Sequence, residues 1–215
     1  MKKILIPIAI IVSVCGLFAS VPQKQKPKKL YGFERFYIAS LPDGASKNIP
    51  QTPLYQEALS LYYNTDKHKP EKFTYRENGK RVSKQVAFPD FEKVRKTFLK
   101  SYMEEGNKAA GFMAAYVHKN YGDTYNLKGQ LEYFNNVAAL AKDGNCFGYV
   151  ESAKYFSEGI ADISYNEKQA LKILRIAEKK CANNPDYSKR IAKELLMHKN
   201  GFYKEKYESK QKETK

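Results

Sequence analysis

The chain has 215 residues, 42% of them hydrophobic, and its 17 Tyr and 12 Phe exclude a disordered polypeptide, which would be poor in aromatics. Its charge is lopsided: 38 Lys+Arg against 23 Asp+Glu give +15, and Arg35, Arg76, Arg81, Arg95, Arg175 and Arg190 are the only arginines. Three cysteines are too few for a disulfide-dense scaffold, and neither a collagenous nor a multi-span membrane pattern occurs.

Met1-Lys2-Lys3, the apolar run Ile4 to Phe18 and the small Ala19 read as a secretory signal peptide over residues 1–19. The run falls short of the ~20 residues that span a bilayer. Val14, just before Cys15, is not the small residue that lipidation needs. A cleaved leader is therefore expected ahead of an anchor or a lipoprotein, placing the mature chain in a periplasm. Losing Lys2 and Lys3 leaves it at +13. Residues 20–35, rich in Lys, Gln and Pro, read as a basic linker.

Residues 36–105 read as a degenerate N-terminal repeat. Leu54, Ala58, Leu59 and Tyr62 share one helix face, opened by Thr52-Pro53, and Phe91, Val94, Phe98 and Tyr102 share another that ends at Gly106. Between them, β-prone runs flank Asn78-Gly79, the strongest short hairpin signal, so residues 71–88 are expected to be a β-hairpin insertion.

Residues 106–200 repeat themselves. A shift of 39 lays Met113, Ala114, Val117 and Asn120 on Ser152, Ala153, Phe156 and Gly159, and then on Ile191, Ala192, Leu195 and His198. Asn120 and Gly159 are expected to close their helices in left-handed caps. Second helices follow: Leu127, Leu131, Phe134, Ala138 and Ala141 form one stripe, Ala170, Ile173, Leu174, Ala177 and Cys181 the next. Ser164 to Glu167 reads as a capping box, and Pro185 as the first turn of a last helix. Residues 201–215 read as a basic C-terminal tail.

The run Ser152 to Gly159, followed by Lys168-Gln169-Ala170 and Ala177, resembles Sel-one-like repeats, relatives of the tetratricopeptide repeat. Ser152 and Ala153 stand where that family has Leu and Gly, and the resemblance covers roughly residues 106–198. It implies an all-α fold, an α-solenoid of about three stacked helix-turn-helix repeats, with the β-hairpin inserted in its N-terminal part. Such a stack offers an extended concave surface to a protein partner.

Pairing outwards from a turn between Glu158 and Asn166 brings Cys146 and Cys181 to the same end of their helices, both on apolar stripes. A disulfide between them is expected, with two reduced core thiols as the alternative. His68, His118 and His198 are scattered and read as surface or helix-end residues. No nucleophile elbow, zinc-protease motif or phosphate-binding glycine loop occurs. The chain therefore reads as a non-enzyme, with no catalytic residue, no metal site and no cofactor.

Lysine-heavy charge on an exported chain argues against nucleic acid, since arginine is the better phosphate and base reader. An acidic protein is the expected partner, with peripheral contact to an anionic membrane also open, and the chain alone is expected to be a monomer. Tyr116, Lys119, Lys154 and Tyr155 are expected on the concave face, and Tyr75 and Arg76 on the hairpin, as partner contacts. Some exported immunity proteins of interbacterial secretion resemble Sel-one-like repeat proteins, which implies neutralisation of a secreted toxin. An adaptor or scaffold of an envelope complex is the alternative, and a cell-wall-active enzyme the third.

Overall fold

A computed structural model describes residues 32–43, 48–63, 70–122 and 125–213. The chain runs through α1 (Gly32–Ala39), α2 (Pro53–Tyr63), β1 (Pro70–Glu77), β2 (Lys80–Ala87), α3 (Phe91–Glu105) and α4 (Lys108–Tyr121). It continues through α5 (Leu127–Lys142), α6 (Cys146–Glu158), α7 (Glu167–Lys180), α8 (Pro185–Lys199) and α9 (Phe202–Glu213). From α2 onward each helix packs on the next in the chain, making an all-α, solenoid-like stack of helix pairs. None of the described helices is long and apolar enough to cross a membrane. The expected signal peptide over residues 1–19, with Cys15, lies outside the described residues, as does His68.

Asparagines set the helix starts. Asn107, Asn126, Asn145, Asn166 and Asn184 cap α4 to α8, each side-chain oxygen accepting the N–H three residues on, at 2.8–3.2 Å. Each such bond satisfies an amide left without an intrahelical partner and is worth about 1 kcal/mol. The cap of α7 is thus Asn166 and not the expected Ser164, because Glu167 already lies inside the helix. Pro185 begins α8 as expected. At the other ends, Gly106 and Gly159 take left-handed caps (φ 65° and 60°), whereas α4 runs past Asn120 to Tyr121 and closes on an extended Gly122.

The hairpin forms where Asn78-Gly79 predicts it, both residues at positive φ (50° and 79°), and spans 70–87. Its two strands pair antiparallel between α2 and α3.

The core runs along the stack through Tyr55, Phe98, Met113, Val137, Leu140, Leu174 and Ile191. Fully buried Ala109, Ala110, Ala114 and Ala115 line α4 with small side chains. Gly148 brings α6 onto α5 so closely that a Cβ there would stand 2.5 Å from the Ala141 nitrogen. The stripe expected on α5 is rotated: Tyr133, Val137 and Leu140 are buried, while Leu127 is 45% exposed. Cys146 and Cys181 are disulfide-bonded, their Cα atoms 6.0 Å apart.

Three expectations about the periphery are corrected. Residues 32–35 are not linker but the first turn of α1, with Glu34 buried between Tyr55 and Gln51. Residues 202–213 are not a solvated tail but α9, held by Tyr203, which is 2% exposed, and by the Tyr165–Tyr207 stack at 4.9 Å. His118 and His198 are helix-end residues, in the last turns of α4 and α8, but they are not at the surface. Both are buried, His118 against the Tyr133 ring and His198 against Tyr203.

Candidate protein-binding face

The first helices of successive pairs, α4, α6 and α8, share a face on which aromatic and charged side chains alternate. On α4, Phe112, Tyr116 and Lys119 fall at helical spacing, one above the other. Helix α1 lies against them: Tyr37 packs on Phe112, and Phe36 stacks on Tyr116 with ring centroids 5.6 Å apart and remains 53% exposed. Phe112 also meets Phe147 of α6 edge-on, at 5.3 Å.

Glu151 of α6 is the electrostatic centre. Its carboxylate accepts from Lys119 Nζ at 2.7 Å and from the Tyr133 hydroxyl at 2.9 Å. The same Lys119 ammonium sits 5.4 Å over the Phe147 ring, a cation–π geometry that fixes its direction. One unit further on, the Arg190 guanidinium lies 5.1 Å from the Tyr187 ring. Burial, with Glu151 adding to it, pushes the Tyr155 phenol up to about 12. Tyr187 reaches about 12 by burial, against the lowering effect of Arg190. Tyr133 is raised as well, by burial first and Glu151 second. All three phenols therefore stay protonated near neutrality and can serve as donors.

The structure brings Tyr116 and Lys119 together on this face, and Lys154 stands half-exposed on α6 one turn beyond Glu151. Tyr155 is not on it. It is buried against Phe134, and its hydroxyl donates to the Gln130 carbonyl of α5. The reason is register. The caps of α4 and α6, Asn107 and Asn145, are 38 residues apart, so Tyr116 corresponds to Lys154 rather than Tyr155. A slip of one residue turns a side chain by about 100° around a helix of 3.6 residues per turn. Arg76 stands exposed on β1 opposite Arg81, within the hairpin and not on these helices, and the Tyr75 side chain lies outside the described residues. Phe36, Glu151, Tyr187 and Arg190 escaped the sequence reading. The Asn145 and Asn184 spacing was the signal that would have aligned Glu151 with Arg190; nothing in the repeat marks Phe36.

Away from this face, a cleft of about 540 Å³ between α3 and α5 is floored by Leu99, Tyr102 and Asn136. Another, of about 410 Å³ among α5, α6 and α7, is lined by Phe134, Phe156, Ile173 and Ile176. Near α8, Ser157 Oγ lies 2.8 Å from His198 Nε2, and His198 Nδ1 lies 3.8 Å from Glu167. That line resembles a nucleophile–base–carboxylate relay, but the Ser157 hydroxyl donates to the Ala153 carbonyl and is 1% exposed. It ties α6, α7 and α8 together. Among the described residues, no group of three or more His, Cys, Asp or Glu side chains is placed to hold a metal. Compared with family models, curated proteins and solved structures, the chain matches none.

Proposed function

We propose that this chain is an exported repeat protein that binds an acidic protein partner through the α1/α4/α6/α8 face, in the role of an immunity protein against a secreted interbacterial toxin. The observation that carries the reading is the ordered cluster on that face. Phe36 and Tyr116 are stacked, Lys119 is fixed by Glu151 and Phe147, and Arg190 lies on Tyr187. Interface energy concentrates in aromatic and Arg anchors whose side chains are already ordered before the partner arrives. The excess of lysines supports an acidic partner by raising encounter rates in a salt-sensitive way. The leader-like residues 1–19 support export, and a disulfide suits an oxidising compartment.

The test is binding of the mature chain to the purified product of the adjacent gene, followed by calorimetry at low salt and in added salt. Lys119→Glu and Arg190→Glu are each expected to cost about 2 kcal/mol of affinity, the scale of an interface hot spot. Binding that is unchanged in both variants, or no binding at all, overturns the reading.

A further inference from the structure

The amides of three first-helix caps all reach chain that precedes α2, one at residues 50–52 and two at residues 39–41. Asn107 Nδ2 donates to the Pro50 carbonyl at 2.8 Å and to Thr52 Oγ1 at 3.2 Å. Asn145 Nδ2 donates to Ser40 Oγ at 2.8 Å. Asn184 Nδ2 donates to two carbonyls, Ala39 at 2.7 Å and Leu41 at 2.8 Å. Each asparagine therefore works twice: its oxygen starts a helix, and its nitrogen holds the N-terminal segment, mostly by main-chain carbonyls.

Two of these arms are joined covalently. Asn145 is followed by Cys146, whose own N–H donates to the Ser40 carbonyl at 2.9 Å. The N–H of Asn184 bonds the Cys181 carbonyl at 3.0 Å. The Cys146–Cys181 bond thus spans the gap between the starts of α6 and α8, directly beneath residues 39–41. Those residues end α1, the helix whose Phe36 and Tyr37 cover Tyr116 and Phe112.

We propose that this disulfide is the catch of a lid. Its formation fixes the Asn145 and Asn184 arms at the spacing that grips Ala39, Ser40 and Leu41, and so closes α1 over the α4 face. Two thiols lose two electrons and two protons to a disulfide-bearing oxidant, which leaves as a dithiol, and the Cys146–Cys181 bond remains. Both sulfurs belong to fully buried residues, so the bond once made is shielded from thiol attack and closure runs one way. Resting on the reading that this face binds a partner, the lid means that the oxidised chain presents the composite surface with Phe36 outward. The reduced chain leaves Phe112 and Tyr116 without the cover of α1.

Amide hydrogen exchange on the full chain tests the lid without any partner, so its failure is distinct from failure of the binding assay. Exchange over residues 32–41 is expected to quicken about tenfold in Cys146→Ala/Cys181→Ala, while α4 and α5 stay protected, as in local opening. Asn184→Ser, with the disulfide intact, keeps a capping oxygen but removes both amide donors, and the same local quickening is expected. It also decides the matter if the double variant does not fold. Unchanged protection of 32–41 in Asn184→Ser, or acceleration spread evenly over all helices on loss of the disulfide, overturns the proposal.

Discussion

Replacing Gly148 by Ala sets two physical effects against each other, and the structure says which wins. Gly148 lies inside α6, where helix propensity alone favours Ala by about 1 kcal/mol. A Cβ at this position would stand 2.5 Å from the Ala141 nitrogen and 2.7 Å from the Leu140 carbonyl carbon, against 3.4–4 Å for ordinary contact. Restoring that contact requires α5 and α6 to part by about 0.9 Å along a buried seam. The obstacle is main chain and cannot rotate away, so the cost lies in the upper part of the overpacking range, about 3 kcal/mol. The net expectation is a loss of about 2 kcal/mol, read as a lower urea midpoint at unchanged slope. Gly111→Ala is the graded control. There the obstacle is the Tyr102 ring at 2.8 Å, which can tilt at the expense of its hydroxyl bond to Asp143, and the expected loss is smaller. A Gly148→Ala protein as stable as the parent, or more stable, refutes the reasoning.

The cap assignment separates two neighbours: Asn166→Ala is expected to cost about 1 kcal/mol in chemical denaturation. Ser164→Ala should stay within about 0.5 kcal/mol, the range of an ordinary surface change. Tyr203→Ala removes the buried ring that seats α9 against His198 and the hydroxyl that donates to Glu194, and is expected to cost about 3 kcal/mol. Proteolysis within residues 202–213 should then begin under conditions where the parent resists. Burial holds the His198 imidazole below its ordinary value, only partly offset by Glu167 and Glu194. The unfolded chain therefore takes up the proton first. The contribution of this group is complete above about pH 6.5 and is lost as the pH falls through the folded value. Urea midpoints measured down a pH series should show that decline in the parent and a flatter one in His198→Gln; parallel curves would contradict it.

What could be read from the residues alone was whatever has a local cause. Asn78-Gly79 demands positive φ at a two-residue turn, Pro185 suits only a first helical turn, and Cys146 and Cys181 flank a helix pair whose turn is marked by Gly159. The elements that escaped are those whose cause is distant. Helix α1 follows a lysine-rich stretch, and its order comes from Asn145 and Asn184, more than a hundred residues away. Helix α9 is nearly all polar and is specified by Tyr203 and Tyr207 meeting partners on α8 and in the turn before α7. On the candidate face the difficulty was angular. A repeat length taken as 39 throughout, where the caps give 38 and then 39, was enough to set Tyr155 on the face beside Lys154.

The last helix has one more consequence. A stack of helix pairs is open at its ends, and each exposed end repeats the kind of surface that the interior units use to hold one another. Here α9, packed on α8, presents exposed Lys204, Lys210 and Lys212 and exposed Glu205 and Glu208, with Tyr203 and Tyr207 turned inward and the Phe202 ring 46% exposed. A second copy approaching this helix would have to strip water from these charges, with little apolar surface beyond the Phe202 ring to gain.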